Sequence, residues 1–169
     1  MAITETERLI ICKLELDDAA FIVELLNDPG WIRYIGDRGV KTIDDAGAYL
    51  SNGPIKSYGL NGFGLFLVKL KEEGTPIGMC GLIKRPGLDD IDIGYAFLPE
   101  ARGKGYAYES AAAVLEYGKN VIGLKRIVAI TTPDNKDSIR LLEKLGMQFE
   151  KMIRVTEEAD ETTLFAINY

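Results

Sequence analysis

A change in hydrophobic periodicity in the second half of the chain constrains its fold more than any other feature. Polar and apolar residues alternate over Asp90-Ile91-Asp92-Ile93, in a segment that we predict to be a strand as far as Leu98. After Pro99 the apolar residues recur at helical spacing as far as Gly118. Residues 126–131 are rich in β-branched side chains and predict another strand. Because a strand, a helix and a strand in this order usually form a crossover, we expect the two strands to be parallel.

A second strand–helix–strand crossing is predicted from residues 126–131 to residues 147–155, and the rest of the chain predicts antiparallel pairing. Residues 63–70 and 76–83 are apolar and flank the turn Glu72-Glu73-Gly74, which indicates a hairpin. Further strands are predicted at residues 8–14, 147–155 and 162–167, and a helix over residues 139–145 ends before Gly146. We therefore expect an α/β (α+β) fold with a mixed, mostly antiparallel sheet of about seven strands and helices on both faces.

Capping and helix-breaking residues mark the N-terminal helices. An aspartate at position 17 or 18 can cap a helix that runs to residue 26. Thr42, with Asp45 three residues later, resembles a capping box, and the helix that it opens is predicted to end near residue 50. The Gly53-Pro54 pair is predicted to break the chain, and residues 31–38 are predicted to form a loop.

The absence of histidine restricts the chemistry that the chain can perform. Without an imidazole, an acid–base step must use carboxylates, tyrosines, hydroxyls, lysines or bound water. The two cysteines, Cys12 and Cys80, lie in apolar segments and are predicted to be buried, reduced thiols. We therefore predict no metal site.

Charge and hydropathy indicate the surroundings in which such a chain works. The formal net charge is −6, which disfavours nucleic-acid binding and is compatible with a cationic or amine substrate. No apolar segment is long enough to span a membrane, and acidic residues lie near the N-terminus where a signal peptide would carry basic ones. We expect one cytoplasmic domain over residues 1–169, as a monomer or homodimer.

Small residues lie between the predicted strand at 90–98 and the helix that follows it. Gly103, Gly105 and Ala107 let backbone N–H groups face a ligand, and the start of the helix adds positive partial charge. Arg102 and Lys104 add further charge, so this segment suits a pyrophosphate. It is neither a dinucleotide fingerprint nor a Walker loop, and a plain tight turn into a helix is the alternative.

A polar segment, residues 131–135, leads from the strand at 126–131 into the next helix. Asn135 carries an amide that both donates and accepts hydrogen bonds, which suits recognition of another amide. The alternative is that Asp134 or Asn135 only caps the helix.

Together these segments resemble a known family. Residues 92–107 are similar to the acetyl-CoA motif of the GNAT superfamily of N-acetyltransferases, Arg/Gln-x-x-Gly-x-Gly/Ala, which Arg102, Gly105 and Ala107 match. Residues 135–147 resemble the second helix through which that family contacts coenzyme A. The opening Thr6-Glu7-Arg8-Leu9-Ile10, with Asp17-Asp18-Ala19, is similar to the branch that contains the RimJ and RimL ribosomal-protein acetyltransferases.

The resemblance implies a fold detail and a co-substrate. The strand that ends at Leu98 would separate from the strand at 126–131, and the pantetheine arm of acetyl-CoA would lie in the gap like an additional strand. The residues implied to bind acetyl-CoA are Ala96, Phe97, Leu98, Arg102, Gly103, Lys104, Gly105, Tyr106, Ala107, Tyr108, Asn135 and Ser138.

The reaction implied is direct attack of a neutral amine on the thioester. Many relatives place a tyrosine acid seven residues after the asparagine, where this chain has Leu142. The resemblance to RimL transfers that role to Ser138, and a polar residue in a first helical turn is the alternative. Asp92 stands where relatives often carry glutamate and is the candidate base, with a solvent-facing strand residue as the alternative.

The acceptor would be a primary amine, either a protein N-terminus, ribosomal ones included, or a small molecule. Trp31, Arg33 and Tyr34 are the candidate acceptor-binding residues, although tryptophan and tyrosine commonly close a core instead. Tyr95 is likewise expected to be a packing residue. A non-catalytic acyl-CoA-binding regulatory module is the alternative function, and neither nucleic acid nor a membrane is an expected partner.

Overall fold

A computed structural model describes residues 2–169, which form an open sheet of eight strands. The strands are β1 (Ala2–Glu5), β2 (Leu9–Lys13), β3 (Leu65–Leu70), β4 (Pro76–Ile83), β5 (Asp92–Phe97), β6 (Arg126–Thr131), β7 (Gln148–Ile153) and β8 (Thr162–Asn168). Their order in the sheet is β1-β2-β3-β4-β5-β6-β8-β7. Neighbours are antiparallel except β5 and β6, which are parallel.

The predicted mixed, mostly antiparallel sheet is confirmed, with one strand more than expected. The additional strand is β1, a four-residue segment that pairs with β2 at the edge of the sheet. Such a short strand has no clear alternation of its own, and its pairing with a neighbour holds it in place. Local sequence patterns therefore gave no signal for it.

Six α-helices accompany the sheet within residues 2–169. They are α1 (Ala19–Leu26), α2 (Pro29–Tyr34), α3 (Ile43–Asn52), α4 (Pro54–Asn61), α5 (Tyr106–Tyr117) and α6 (Lys136–Lys144). The predicted loop at 31–38 is wrong for its first half, because α2 extends to Tyr34. The predicted break at Gly53-Pro54 is confirmed, because α3 ends at Asn52, but a further helix, α4, begins directly at Pro54. Pro29 and Pro54 each stand at the first helical position, where a missing N–H costs nothing and the fixed φ angle suits the helix.

Helices pack on both faces of the sheet, as predicted. Alternate residues of β3 point to opposite faces: Phe66 packs in a core cluster with α5 and α6, and Leu67 packs in another with α1 and α3. Cys12 and Cys80 are buried and free, as predicted. In the part of the chain that is described, no helix has the length and apolar character needed to cross a membrane.

The parallel pair β5 and β6 separates soon after it forms. Asp92 is aligned with Val128, and the Val128 N–H donates to Ile91 O at 3.0 Å. No other pair of residues along these two strands is in register. The remainder of β5 therefore borders an open gap, which is the separation that the family resemblance predicts.

Candidate active site

The backbone of β5 presents one residue of the predicted pantetheine segment to this gap. The Leu98 N–H donates to Ile77 O at 3.0 Å, so the polar backbone groups of Leu98 face β4. Backbone N–H and C=O groups alternate in direction along an antiparallel strand, so those of Ala96 also face β4 and those of Phe97 face the gap. Of the three predicted backbone contacts, Phe97 is therefore the one that can donate its N–H to a ligand lying between β5 and β6.

The glycine segment leads from this gap into α5. Gly103 and Gly105 have φ angles of 74° and 84°, in the left-handed region that glycine adopts without strain. The Glu109 N–H closes the first turn on Gly105 O at 3.0 Å. The N–H groups of Tyr106, Ala107 and Tyr108 come before it and have no acceptor within the helix. The predicted phosphate segment therefore presents free donors at the positive end of a helix.

Arg8, the residue before β2, supports this segment, a role that the sequence patterns do not predict. Its Nη1 donates to Lys104 O at 2.9 Å, and its Nε pairs with Glu109 Oε1 at 2.7 Å. Its guanidinium also lies 4.4 Å from the centre of the Tyr106 ring. These partners are about a hundred residues away in sequence, so a local pattern cannot reveal them.

Arg102 ties the glycine segment to α2. Its Nη2 donates to Asp28 Oδ2 at 2.5 Å and to Phe97 O at 3.0 Å. Asp28 is only 7% exposed and also caps α2 by accepting from the N–H groups of Gly30 and Trp31. The positive charge of Arg102 is thus paired with a buried carboxylate, and its contact with a pyrophosphate stays a prediction.

The start of α6 faces β5 across the gap. Asn135 Oδ1 accepts from the Ser138 N–H at 3.2 Å, so Asn135 does cap the helix. The Ser138 hydroxyl oxygen lies 2.8 Å from the phenol oxygen of Tyr95, a contact that sequence reasoning missed. Burial raises the pKa of Tyr95 to about 12, so the phenol is neutral at physiological pH. Leu142 is 1% exposed and belongs to the core.

Asp92 is buried where β5 leaves β6. It is 1% exposed, so the interpretation of Asp92 as a solvent-facing strand residue is wrong. Arg85 Nη2 lies 3.3 Å from Asp92 Oδ2, and within residues 2–169 the Oδ1 atom has no hydrogen-bond partner. Burial raises the pKa of Asp92, and Arg85 only partly opposes this effect. A buried carboxyl with a free oxygen and a raised pKa has the properties of a general base.

The two candidate catalytic groups lie on opposite faces of β5. Tyr95, which contacts Ser138, packs with the core cluster under α5 and α6. The side chains of Asp92 and Ala96 point to the other face of the strand, where Ala96 packs with the cluster under α1 and α3. An acceptor group approaching on the Asp92 side and a leaving group held on the Ser138 side would therefore meet at the gap.

The three predicted acceptor residues separate into two groups. Trp31 is 6% exposed and packs in the core with Leu98, although its indole N–H has no partner within the described chain. Arg33 lies over the ring of Tyr34 at 4.8 Å, and its Nη2 is 3.8 Å from Asp134 Oδ2. Trp31 is thus a core residue, whereas Arg33 is exposed and Tyr34 is half-buried, with Arg33 close to the start of α6.

Comparisons with known proteins agree with this geometry. The model of the acetyltransferase (GNAT) domain family matches residues 8–148. The uncharacterised N-acetyltransferase YnaD of Bacillus subtilis is 37% identical over 145 residues, which cover 86% of this chain and 82% of that protein. A GNAT-family acetyltransferase from Bacillus anthracis is 32% identical, with a TM-score of 0.80 and coverage of 99% and 98% of the two chains.

A more distant structure has the same fold. The ribosomal L7/L12 alpha-N-protein acetyltransferase RimL, solved in complex with coenzyme A, is 14% identical to this chain, with a TM-score of 0.83. The match covers 99% of this chain and 98% of that structure.

Proposed function

The chain belongs to the GNAT family of acetyltransferases, which use acetyl-CoA, and from this premise we propose that it acetylates a primary amine by direct attack in a ternary complex. The observation that carries the proposal is the gap between β5 and β6. One end of the gap leads to the free N–H groups of α5, and the Ser138 hydroxyl and the Phe97 N–H border it. Donors for a pyrophosphate, a thioester carbonyl and a leaving sulfur thus lie along one continuous path.

Each group on this path has a distinct task in the proposed mechanism. The Phe97 N–H stabilises negative charge on the thioester oxygen as the amine nitrogen bonds to the carbonyl carbon. Asp92 takes the proton that the attacking amine loses, directly or through water. The carbon–sulfur bond then breaks, and the Ser138 hydroxyl donates a hydrogen bond to the sulfur, which leaves with the electron pair.

The acceptor is proposed as a class. The net charge of −6 favours an amine that is cationic in solution and loses its proton on binding. Within the RimJ/RimL-like branch proposed for this chain, a protein N-terminus and a small-molecule amine both fit. Arg33 and Tyr34 are the proposed contacts to the acceptor, since Arg33 is exposed close to the start of α6 and Tyr34 lies under its guanidinium, half-buried.

The test is thiol release from acetyl-CoA over a panel of peptides, ribosomal proteins, polyamines and aminoglycosides. We expect turnover with at least one class and binding of coenzyme A by calorimetry. Binding without turnover, in protein shown to be folded, would favour the regulatory module instead. The buried carboxyl of Asp92 favours the enzyme, because a protein that only binds gains nothing from an unpaired oxygen there.

A further inference from the structure

Tyr95 makes a polar contact that packing alone does not require. Its ring packs against the core cluster under α5 and α6, and phenylalanine would fill that space equally well. Its hydroxyl reaches out of this cluster to Ser138 Oγ at 2.8 Å. The contact joins β5 to α6 in the region where β5 has already separated from β6.

We propose that Tyr95 is a positioning residue for the leaving group: it donates a hydrogen bond to Ser138 and so directs the Ser138 proton to the sulfur of the departing thiolate. The inference rests on the proposed acetyl transfer and adds a residue to it.

The 2.8 Å contact allows either hydroxyl to donate, and the proposal assigns the donor role to the phenol, because a phenol O–H is a stronger hydrogen-bond donor than an alkyl hydroxyl. A serine hydroxyl has one proton to donate and two lone pairs that accept. When the phenol donates to Ser138 Oγ, the single serine proton is free for another acceptor. A phenolate would instead take that proton, but burial raises the pKa of Tyr95 to about 12 and keeps the phenol neutral.

Tyr95 supplies from a strand what other family members supply from the helix. The helical position of their tyrosine is here Leu142, which is 1% exposed and belongs to the core cluster that the Tyr95 ring packs against. The phenol of Tyr95 reaches Ser138, one turn before Leu142 on α6, and it acts through that serine.

The acidities of the thiol and of the phenol allow Tyr95 to donate a hydrogen bond but not to release its proton. A thiol has a pKa of roughly 8.5, well below that of the buried phenol, so a thiolate would not remove the proton of Tyr95. The carbon–sulfur bond breaks and the electron pair stays on sulfur. Ser138 donates to that sulfur while Tyr95 donates to Ser138, and water later protonates the thiolate.

The test is a double-mutant cycle with Tyr95→Phe and Ser138→Ala. Ser138→Ala is expected to lower kcat on the order of 10-fold, the effect of losing one hydrogen bond to a charged group, with the KM for acetyl-CoA unchanged. Tyr95→Phe is expected to lower kcat by a similar factor, because the Ser138 proton is then no longer directed to the sulfur. In the Ser138→Ala background, Tyr95→Phe should change kcat less than about 2-fold, because the two groups act as one unit. Tyr117→Phe, a partly buried tyrosine of the same cluster, is the matched control and should retain full activity.

The inference is wrong if Tyr95→Phe keeps the wild-type kcat or lowers it equally in both backgrounds. A second probe does not depend on the stability of Tyr95→Phe: 3-fluorotyrosine incorporated at Tyr95 keeps the ring and gives a more acidic donor. Its kcat should equal or exceed that of the wild type, and a 10-fold loss would contradict the proposal. Absence of turnover in the wild type would instead contradict the proposed function itself, and the inference with it.

Discussion

At the scale of single residues, side-chain partners distant in sequence decide what each candidate does. Asp92 was identified from its position in the motif, but its burial follows from the way β5 lies between β4 and β6. Ser138 was identified in the same way, and its contact with Tyr95 spans 43 residues. The family resemblance predicts these residues, and local periodicity carries no information about their environments.

The pH dependence of the reaction tests Asp92. A general base must be deprotonated, and the pKa of Asp92 is raised above its ordinary value of 3.8 by burial. The kcat/KM should therefore fall as the pH is lowered through this raised pKa. Asp92→Asn should reduce kcat/KM on the order of 100-fold and remove this acidic limb.

The matched control for Asp92→Asn is Asp89→Asn, an exposed aspartate just before β5. It should leave both the rate and the pH profile unchanged. If Asp92→Asn retained the wild-type acidic limb, the limb would belong to another group and Asp92 would not be the base.

At the scale of elements, helix starts explain both the successes and the errors of the sequence predictions. The capping box at Thr42 was predicted and is present at the start of α3. The sequence patterns predict neither α2 nor α4, although Pro29 and Pro54 stand at first helical positions, where proline is favourable. The error at α2 matters, because this helix connects the glycine segment to the proposed acceptor side.

The start of α5 is tested by Gly105→Ala. This glycine has a φ angle of 84°, and an added Cβ would lie 3.2 Å from the Arg8 guanidinium. We expect the dissociation constant of coenzyme A to rise on the order of 10-fold, as measured by calorimetry, because the donors at the helix start would shift. Gly105→Glu, which also adds negative charge, should abolish binding.

Gly62→Ala is the control for backbone strain. Gly62 has a φ angle of 79° at the end of α4, and an added Cβ would meet no atom within 4 Å. Both alanine variants should be destabilised by about 1 kcal/mol. Equal loss of coenzyme A affinity in both would show that strain, and not the site, causes the effect.

The connection between α2 and the glycine segment is tested by Asp28→Ala. This change removes the cap of α2 and the buried partner of Arg102 together. The free energy of unfolding in urea should fall by about 2 kcal/mol, compared with about 1 kcal/mol for Thr42→Ala, which removes only a cap. Equal losses in the two variants would mean that the pair with Arg102 contributes nothing to stability.

At the scale of the whole molecule, the order of the elements determines where the gap between β5 and β6 forms. The crossover from β5 through α5 to β6 was predicted from periodicity alone, and the separation of β5 from β6 was predicted from the family resemblance. The position of the gap between two helical layers could not be read from local patterns, because it depends on side chains from both core clusters.

The central claim is that acetyl-CoA lies in the gap between β5 and β6, with its pyrophosphate at the start of α5. A crystal structure of the protein with acetyl-CoA tests it most directly. We expect the pyrophosphate within hydrogen-bond distance of the N–H groups of residues 103–108, the thioester oxygen at the Phe97 N–H, and the sulfur beside Ser138. Acetyl-CoA bound outside the gap, or with its sulfur remote from both Phe97 and Ser138, would contradict the account.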